Sequence, residues 1–173
     1  MTFEAWHGGR AHFENFSYDA IGSGEGAALG YGFYFSEHRE GGEFFARYMN
    51  FQQHSGFLYR VLLSFKENEL LNLDIALDEH SQAVRDKIKV LFASQSEEPI
   101  LGSAYINLRL KLGNRQAALA LLQTGIKVLR SDEGTKPGHG YTYLVLDREF
   151  IKIVDVYRFV ESDCSWPRIG PFV

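Results

Sequence analysis

The chain has 173 residues, 45% hydrophobic and 23% charged, a composition that fits one globular domain over residues 1–173 with room for a helical insertion. A net charge of −4 gives no overall basic field to draw in nucleic acid, and a single cysteine, Cys164, excludes an internal disulfide. No apolar run approaches the ~18 residues of a membrane span and no export signal opens the chain, so a soluble cytoplasmic protein without membrane contact is expected.

Aromatic residues crowd the first sixty positions, and many of the 17 glycines lie there too, so the N-terminal third is built differently from the rest. Phe3 to His7 is a short apolar run stopped by Gly8-Gly9 and reads as an opening strand. Ala11 to Tyr18 carries Phe13, Phe16 and Tyr18 and reads as a turn or short helix packed by its rings. Ile21 to Gly32 is glycine-rich and reads as a shaped loop. Gly32 to Phe35 is a second strand, and Glu37 to Asn50 a helix weakened by Gly41-Gly42.

Phe57 to Phe65 predicts a strong strand and Leu70 to Leu73 a shorter one. Asp78 to Ser94 has helical spacing, with Ala83, Val84, Ile88 and Leu91 on one apolar face. Ser103–Leu112 and Arg115–Gln123 predict two more helices, parted by Gly113 as a stop and Asn114 as a fresh N-cap. Gly125 to Leu129 predicts a strand, and Ser131 to Gly140 a loop. Tyr141–Leu146 and Phe150–Phe159 predict the last strands, followed by an irregular tail over about 162–173. Strands, a helical insertion over about 76–123, then strands again make an α+β arrangement.

Several segments carry possible chemistry. In Trp6-His7-Gly8-Gly9-Arg10 an imidazole sits beside backbone that a ligand can approach closely. Gly30 to Ser36 is an aromatic strand holding Tyr34, and Phe45 follows eleven residues after that tyrosine. Two rings at a fixed separation can sandwich a flat heteroaromatic ring such as nicotinamide. Gly22-Ser23-Gly24-Glu25-Gly26 lacks the preceding strand and following helix of a dinucleotide fingerprint, which leaves a phosphate- or ribose-wrapping loop or a plain flexible one. The six histidines form no pair at metal-ligand spacing, so no metal is expected.

Taken together, Trp6–Arg10, Gly32–Ser36, Phe45 and Tyr141–Asp147 resemble the diphtheria-toxin-like ADP-ribosyltransferases. The poly(ADP-ribose) polymerase branch has a His-Gly-Ser-Arg strand end, a Gly-x-Tyr-Phe strand, a tyrosine eleven residues on, and a Glu-Tyr-x-Val-x-Asp strand. The small bacterial and phage-associated transferase domains of polyvalent proteins look closer still. They share the Ile21–Ala27 run, the Gly-x-Gly-x-Tyr-Phe strand, Gly56–Tyr59, the Gly-Ile-Lys at Gly125 and the block from Tyr143 to Ile153. The resemblance spans about residues 3 to 160.

It implies an ADP-ribosyltransferase fold, a split antiparallel sheet core with NAD⁺ bound in the cleft between its two halves. It also implies NAD⁺ as substrate, cleaved at the nicotinamide–ribose bond, with no metal. Cofactor contacts would come from His7, Gly8, Gly9, Arg10, Gly24, Tyr34, Ser36 and Phe45. His7, Tyr34 and Thr142 would form the catalytic set, with Glu25 as a source of carboxylate. Thr142 stands where the family has its catalytic glutamate, and Gly42 where the polymerase branch has a carboxamide-binding serine. Threonine can bind a ribose hydroxyl but supplies no charge, which favours single transfer over chain elongation.

The expected function is therefore mono-ADP-ribosyl transfer to a macromolecular acceptor, protein or nucleic acid. The setting expected is a bacterial or phage toxin or host-modifying factor, with an antitoxin or immunity partner conceivable. The alternatives are an inactive NAD⁺- or ADP-ribose-binding or interaction module, and an NAD⁺ glycohydrolase.

Overall fold

The computed structural model describes residues 1–21, 28–48, 56–92, 101–132 and 140–170. Along these residues run β1 (Thr2–Gly9), β2 (Phe33–Ser36), α1 (Arg39–Tyr48), β3 (Phe57–Ser64) and β4 (Leu70–Asn72). Then come α2 (Gln82–Phe92), α3 (Leu101–Leu112), α4 (Asn114–Thr124), β5 (Val128–Ser131), β6 (Thr142–Val145), β7 (Ile151–Arg158) and β8 (Arg168–Gly170). The class is α+β, and the helical insertion falls between two strand groups as its periodicity requires.

The strands form one sheet in the order β4-β5-β6-β2-β1-β3-β7-β8. Its pairs are antiparallel except β4 with β5, which is parallel and corrects the expectation of an antiparallel sheet. The cause is the insertion: a crossover through three helices returns the chain in its original direction, which a short hairpin cannot do. The chain tail also departs from the irregular reading, because Arg168–Gly170 adds β8 at the edge against β7.

Side chains alternate between the two faces of the sheet, and each face has its own core. On one face, Leu71, Leu129 and Leu144 meet Ile88, Tyr105 and Leu121 from the helical insertion. On the other, Ala5, Phe35, Tyr59 and Tyr143 are covered by Phe13 and Phe16 from the segment after β1. Phe35 is 1% exposed, and truncating such a ring to alanine costs about 3–5 kcal/mol. That aromatic cover is why the stretch after β1 is shaped by its rings, with only a 3-10 turn at Tyr18–Ala20.

Local departures have local reasons. β1 runs through Gly8 and Gly9 rather than stopping before them, because both stay paired with Leu58 and Phe57. Helix α2 begins at Gln82, after a 3-10 turn at Leu77–Glu79, and Ala83 is exposed while Val84, Ile88 and Phe92 are buried. Gly113, at φ 83°, is the N-cap of α4, and Asn114 is the first helical residue, its carboxamide taking Arg109 Nε at 2.8 Å. Gly125 closes α4 in the left-handed conformation, as a C-cap glycine should. No helix among the described residues is long and apolar enough to cross a membrane.

Glycine at Gly42 costs α1 roughly 1 kcal/mol of helix propensity relative to alanine. The packing explains it. A Cβ on Gly42 would lie 2.7 Å from Leu58 Cδ1 and 2.8 Å from Trp6 Cβ, and one on Gly8 would run into Gly42 O and Ala46 N. Two glycines, one on each element, let α1 sit directly on β1.

Candidate active site

The two halves of the sheet meet between β1 and β2, where the ladder has a single register pair, Trp6 with Ser36. Continued, the register would pair His7 with Phe35 and Gly8 with Tyr34, but the strands part before that. The His7 imidazole spans the parting: its Nδ1 lies 2.8 Å from Tyr34 O. A carbonyl only accepts, so Nδ1 carries the hydrogen, and the neutral ring keeps an acceptor at Nε2. Phe16, Phe35, Phe13 and Tyr59 surround the ring at centroid distances of 5.1, 5.7, 6.0 and 6.0 Å. Burial lowers the pKa of His7, partly offset by its bond to Tyr34 O, so the ring favours its uncharged form.

The glycines after His7 have separate uses. At Gly8 the close backbone approach is made by α1, not left open for a ligand. A Cβ on Gly9 would lie 3.3 Å from His7 Nε2, so glycine there leaves that nitrogen room. Arg10 lies exposed just past the end of β1.

Tyr34 points to the opposite face from His7, toward the helical insertion. Its hydroxyl donates to Gly30 O at 2.9 Å, and burial pushes its pKa up to about 12. Two neighbouring carbonyls are held the same way: Tyr105 donates to Leu29 O at 2.9 Å and Arg109 to Ala28 O. Two side chains of the insertion and Tyr34 of β2 thus hold residues 28–30 through three consecutive carbonyls. Phe45 is half-buried on α1 and its ring meets Phe44 edge-on at 5.4 Å. The structure brings Tyr34 and Phe45 to the same side of the sheet without ring contact between them, so the aromatic sandwich is not preformed.

A cross-strand row of small hydroxyls runs away from the parting. Ser36 pairs with Thr142, and Thr142 pairs on its other side with Ser131. Directly paired residues share a face, so the three hydroxyls lie on the face of Trp6 and Tyr34. Ser36 is only 4% exposed. Neither it nor Thr142 makes a side-chain hydrogen bond to any described residue. Ser131 donates to Asp74 Oδ1 at 2.9 Å, and Asp132 N donates to Asp74 Oδ2 at 3.0 Å. Burial raises the Asp74 carboxyl above the ordinary carboxylate range, against the lowering effect of those two donors.

Asp74 is invisible to sequence reasoning, because it is one acid in Leu73-Asp74-Ile75 and reaches the row only through the parallel β4–β5 pair. Glu37, the other carboxylate near Thr142, accepts Tyr141 N at 3.0 Å with Oε2 and so ends the β2–β6 ladder. Gly24 and Glu25 lie outside the described residues. Among the described residues no three His, Cys, Asp or Glu side chains gather as a metal would need. Comparison with protein-family models, with curated proteins and with solved structures found no match to this chain.

Proposed function

We propose that this chain is a mono-ADP-ribosyltransferase that cleaves NAD⁺ at the nicotinamide–ribose bond and passes ADP-ribose to a macromolecular acceptor. The observation that carries the reading is the parting of β1 from β2 after Trp6–Ser36, with His7 on one face of it and, on the other, the hydroxyls of Ser36 and Thr142, unpartnered among the described residues. On this reading the eight-stranded sheet is an ADP-ribosyltransferase core whose halves, β4-β5-β6-β2 and β1-β3-β7-β8, flank the NAD⁺ cleft.

The chemistry follows from these groups. Ser36 and Thr142 donate to and accept from the hydroxyls of the nicotinamide-side ribose. His7 Nε2 accepts from a hydroxyl of the adenine-side ribose. The C–N bond breaks with its electron pair going to the cationic nicotinamide, which leaves neutral. Positive charge then builds on the ribose, and the acceptor's lone pair attacks C1. Partial burial keeps water low near that charge, which strengthens each polar contact.

The test is nicotinamide release from NAD⁺ by the purified protein, alone and with Ser36→Ala and Thr142→Ala variants. Wild-type release that falls in both variants supports the reading. Equal release from wild type and both variants removes Ser36 and Thr142 from the site.

A second reading is favoured by Thr142, whose hydroxyl carries no charge to stabilise the transition state. It makes the chain a binding module for NAD⁺ or ADP-ribose. Such a module melts at a higher temperature with NAD⁺ yet releases no nicotinamide. Nicotinamide release without macromolecular label would instead mark an NAD⁺ glycohydrolase.

A further inference from the structure

We propose that Asp74 is the carboxylate of the transfer step, taking the proton from the acceptor nucleophile at the end of the Ser36–Thr142–Ser131 row. The inference rests on the NAD⁺ reading above and adds a residue that neither the sequence nor the resemblance points to.

The geometry is set by strand register. Ser36, Thr142 and Ser131 are successive cross-strand partners on one face, with Cα atoms roughly 4.5–5.5 Å apart at each step. Asp74 Oδ1 lies 2.9 Å from Ser131 Oγ, one strand from Thr142 and two from Ser36. A ribose resting on the free hydroxyls of Ser36 and Thr142 leaves the Asp74 side of the row for the incoming acceptor. Ser36, 4% exposed, has no side-chain partner among the described residues, which leaves its hydroxyl to a polar ligand.

Asp74 is held still. Its backbone N donates to Asn72 Oδ1 at 3.1 Å, and the adjoining Leu73 N donates to Arg130 O at 2.9 Å. The first residues of α3 are anchored on the same segment, with Gly102 N to Leu73 O at 2.7 Å and Leu101 N to Ile75 O at 2.9 Å. Buried His80 closes it, accepting Asn72 N at 3.2 Å on Nε2 while its Nδ1 lies 3.0 Å from Ala76 O. Asp74 accepts from Ser131 Oγ and Asp132 N and also meets the Asp132 carboxyl, whose charge raises it further alongside burial. A carboxyl raised by burial is also a stronger base than an ordinary one.

The step balances. The acceptor heteroatom forms a bond to ribose C1, and the C1–N bond breaks with its pair to nicotinamide. The acceptor proton moves to Asp74 and from there to solvent. Glu37 is less suited: it follows Ser36 by one position, which puts it on the other face, and its carboxylate already serves Tyr141 N.

The test measures NAD⁺ affinity and label transfer to the protein and RNA fractions of a bacterial lysate, for Asp74→Asn, Ser131→Ala and Glu37→Gln. Asp74→Asn is expected to bind NAD⁺ as wild type does and to lose transfer by about 10²–10⁴-fold, the usual worth of a general base. Glu37→Gln is expected to transfer normally. Adding Thr142→Glu to Asp74→Asn puts a carboxylate one strand nearer the ribose and is expected to recover transfer, which no purely structural role of Asp74 predicts.

Transfer at the wild-type rate in Asp74→Asn overturns the proposal. So does loss of NAD⁺ affinity together with transfer, which marks a structural aspartate. If Asp74→Asn does not fold, Ser131→Ala decides, because it removes the bond that aims the carboxylate along the row and must reduce transfer at unchanged NAD⁺ affinity. Wild-type protein that neither binds nor consumes NAD⁺ removes the NAD⁺ reading itself, an outcome distinct from a failure at Asp74 alone.

Discussion

His7 Nδ1 lies 2.8 Å from Tyr34 O and bridges β1 to β2 at the point where their backbone ladder stops. A side chain on one strand thus replaces a ladder bond, and both residues assigned to NAD⁺ chemistry are fixed by that contact. His7→Ala removes the bond and leaves a gap among four aromatic rings, so a stability loss of about 2 kcal/mol is expected. Urea denaturation measures it. Isothermal titration with NAD⁺ should show affinity lowered by up to about tenfold, the worth of one neutral hydrogen bond.

The same imidazole gives a pH dependence with a definite sign. Burial lowers the folded-state pKa of His7 below the ordinary 6.5, so the unfolded chain takes up its proton first as pH falls. The His7 contribution is complete above pH 6.5 and declines as pH drops from there toward the folded value. Denaturation midpoints across that window should fall for wild type and fall less for His7→Gln.

On the proposed reading Gly42 takes the place of the polymerase branch's serine, and its packing gives a reason for glycine there. A Cβ would lie 2.7 Å from Leu58 Cδ1 and 2.8 Å from Trp6 Cβ, so Gly42→Ser must move α1 off β1. Overpacking of this kind costs about 1–3 kcal/mol. The expected result is a lower melting temperature and no gain in NAD⁺ affinity. A tighter-binding Gly42→Ser variant would show that α1 yields and the serine reaches ligand.

Tyr34 separates ring from hydroxyl. Its pKa of about 12 keeps the hydroxyl protonated at working pH, where it serves as donor to Gly30 O. Tyr34→Phe loses that bond at about 1 kcal/mol and keeps the ring. Tyr34→Ala loses both, and a cost of about 3–5 kcal/mol is expected from the ring. Comparing NAD⁺ affinity in the two variants tells whether the ring or its hold on residue 30 matters to binding.

Asp155 is 1% exposed and lies between the guanidinium groups of Arg60 and Arg168, with Arg60 also reaching Glu4 at 2.8 Å. This network ties β1, β3, β7 and β8 together away from the site. Asp155→Ala leaves two cations without their shared partner, but Arg60 and Arg168 are 32% and 52% exposed and water reaches them, so a cost of about 1–3 kcal/mol is expected from the lost charged hydrogen bonds. Thermal denaturation should show the loss, and the affinity of whatever remains folded for NAD⁺ should not change.

Much of the scaffold is legible in local pattern. The apolar run Phe57-Leu58-Tyr59 is a strand, and Gly125 caps a helix, because each signal lies within a few neighbouring residues. The site is less legible, since it depends on register between distant segments. Nothing near Asp74 says that a parallel pairing will set it beside Ser131, and nothing near His7 says that its ring will take Tyr34 O. Gly8 and Gly42 illustrate the same limit: glycine marks a close approach, but only the fold shows that α1 makes it. The short β8 escapes because three residues after a proline carry too little pattern to be told from a tail.

The most direct test is incubation of the purified protein with NAD⁺ labelled on the adenylate half, together with a bacterial lysate split afterwards into protein and RNA fractions. The account predicts label in one fraction, free nicotinamide in matching amount, and loss of both when His7, Ser36 and Thr142 are replaced together by alanine. Unconsumed NAD⁺ and unlabelled fractions would contradict it.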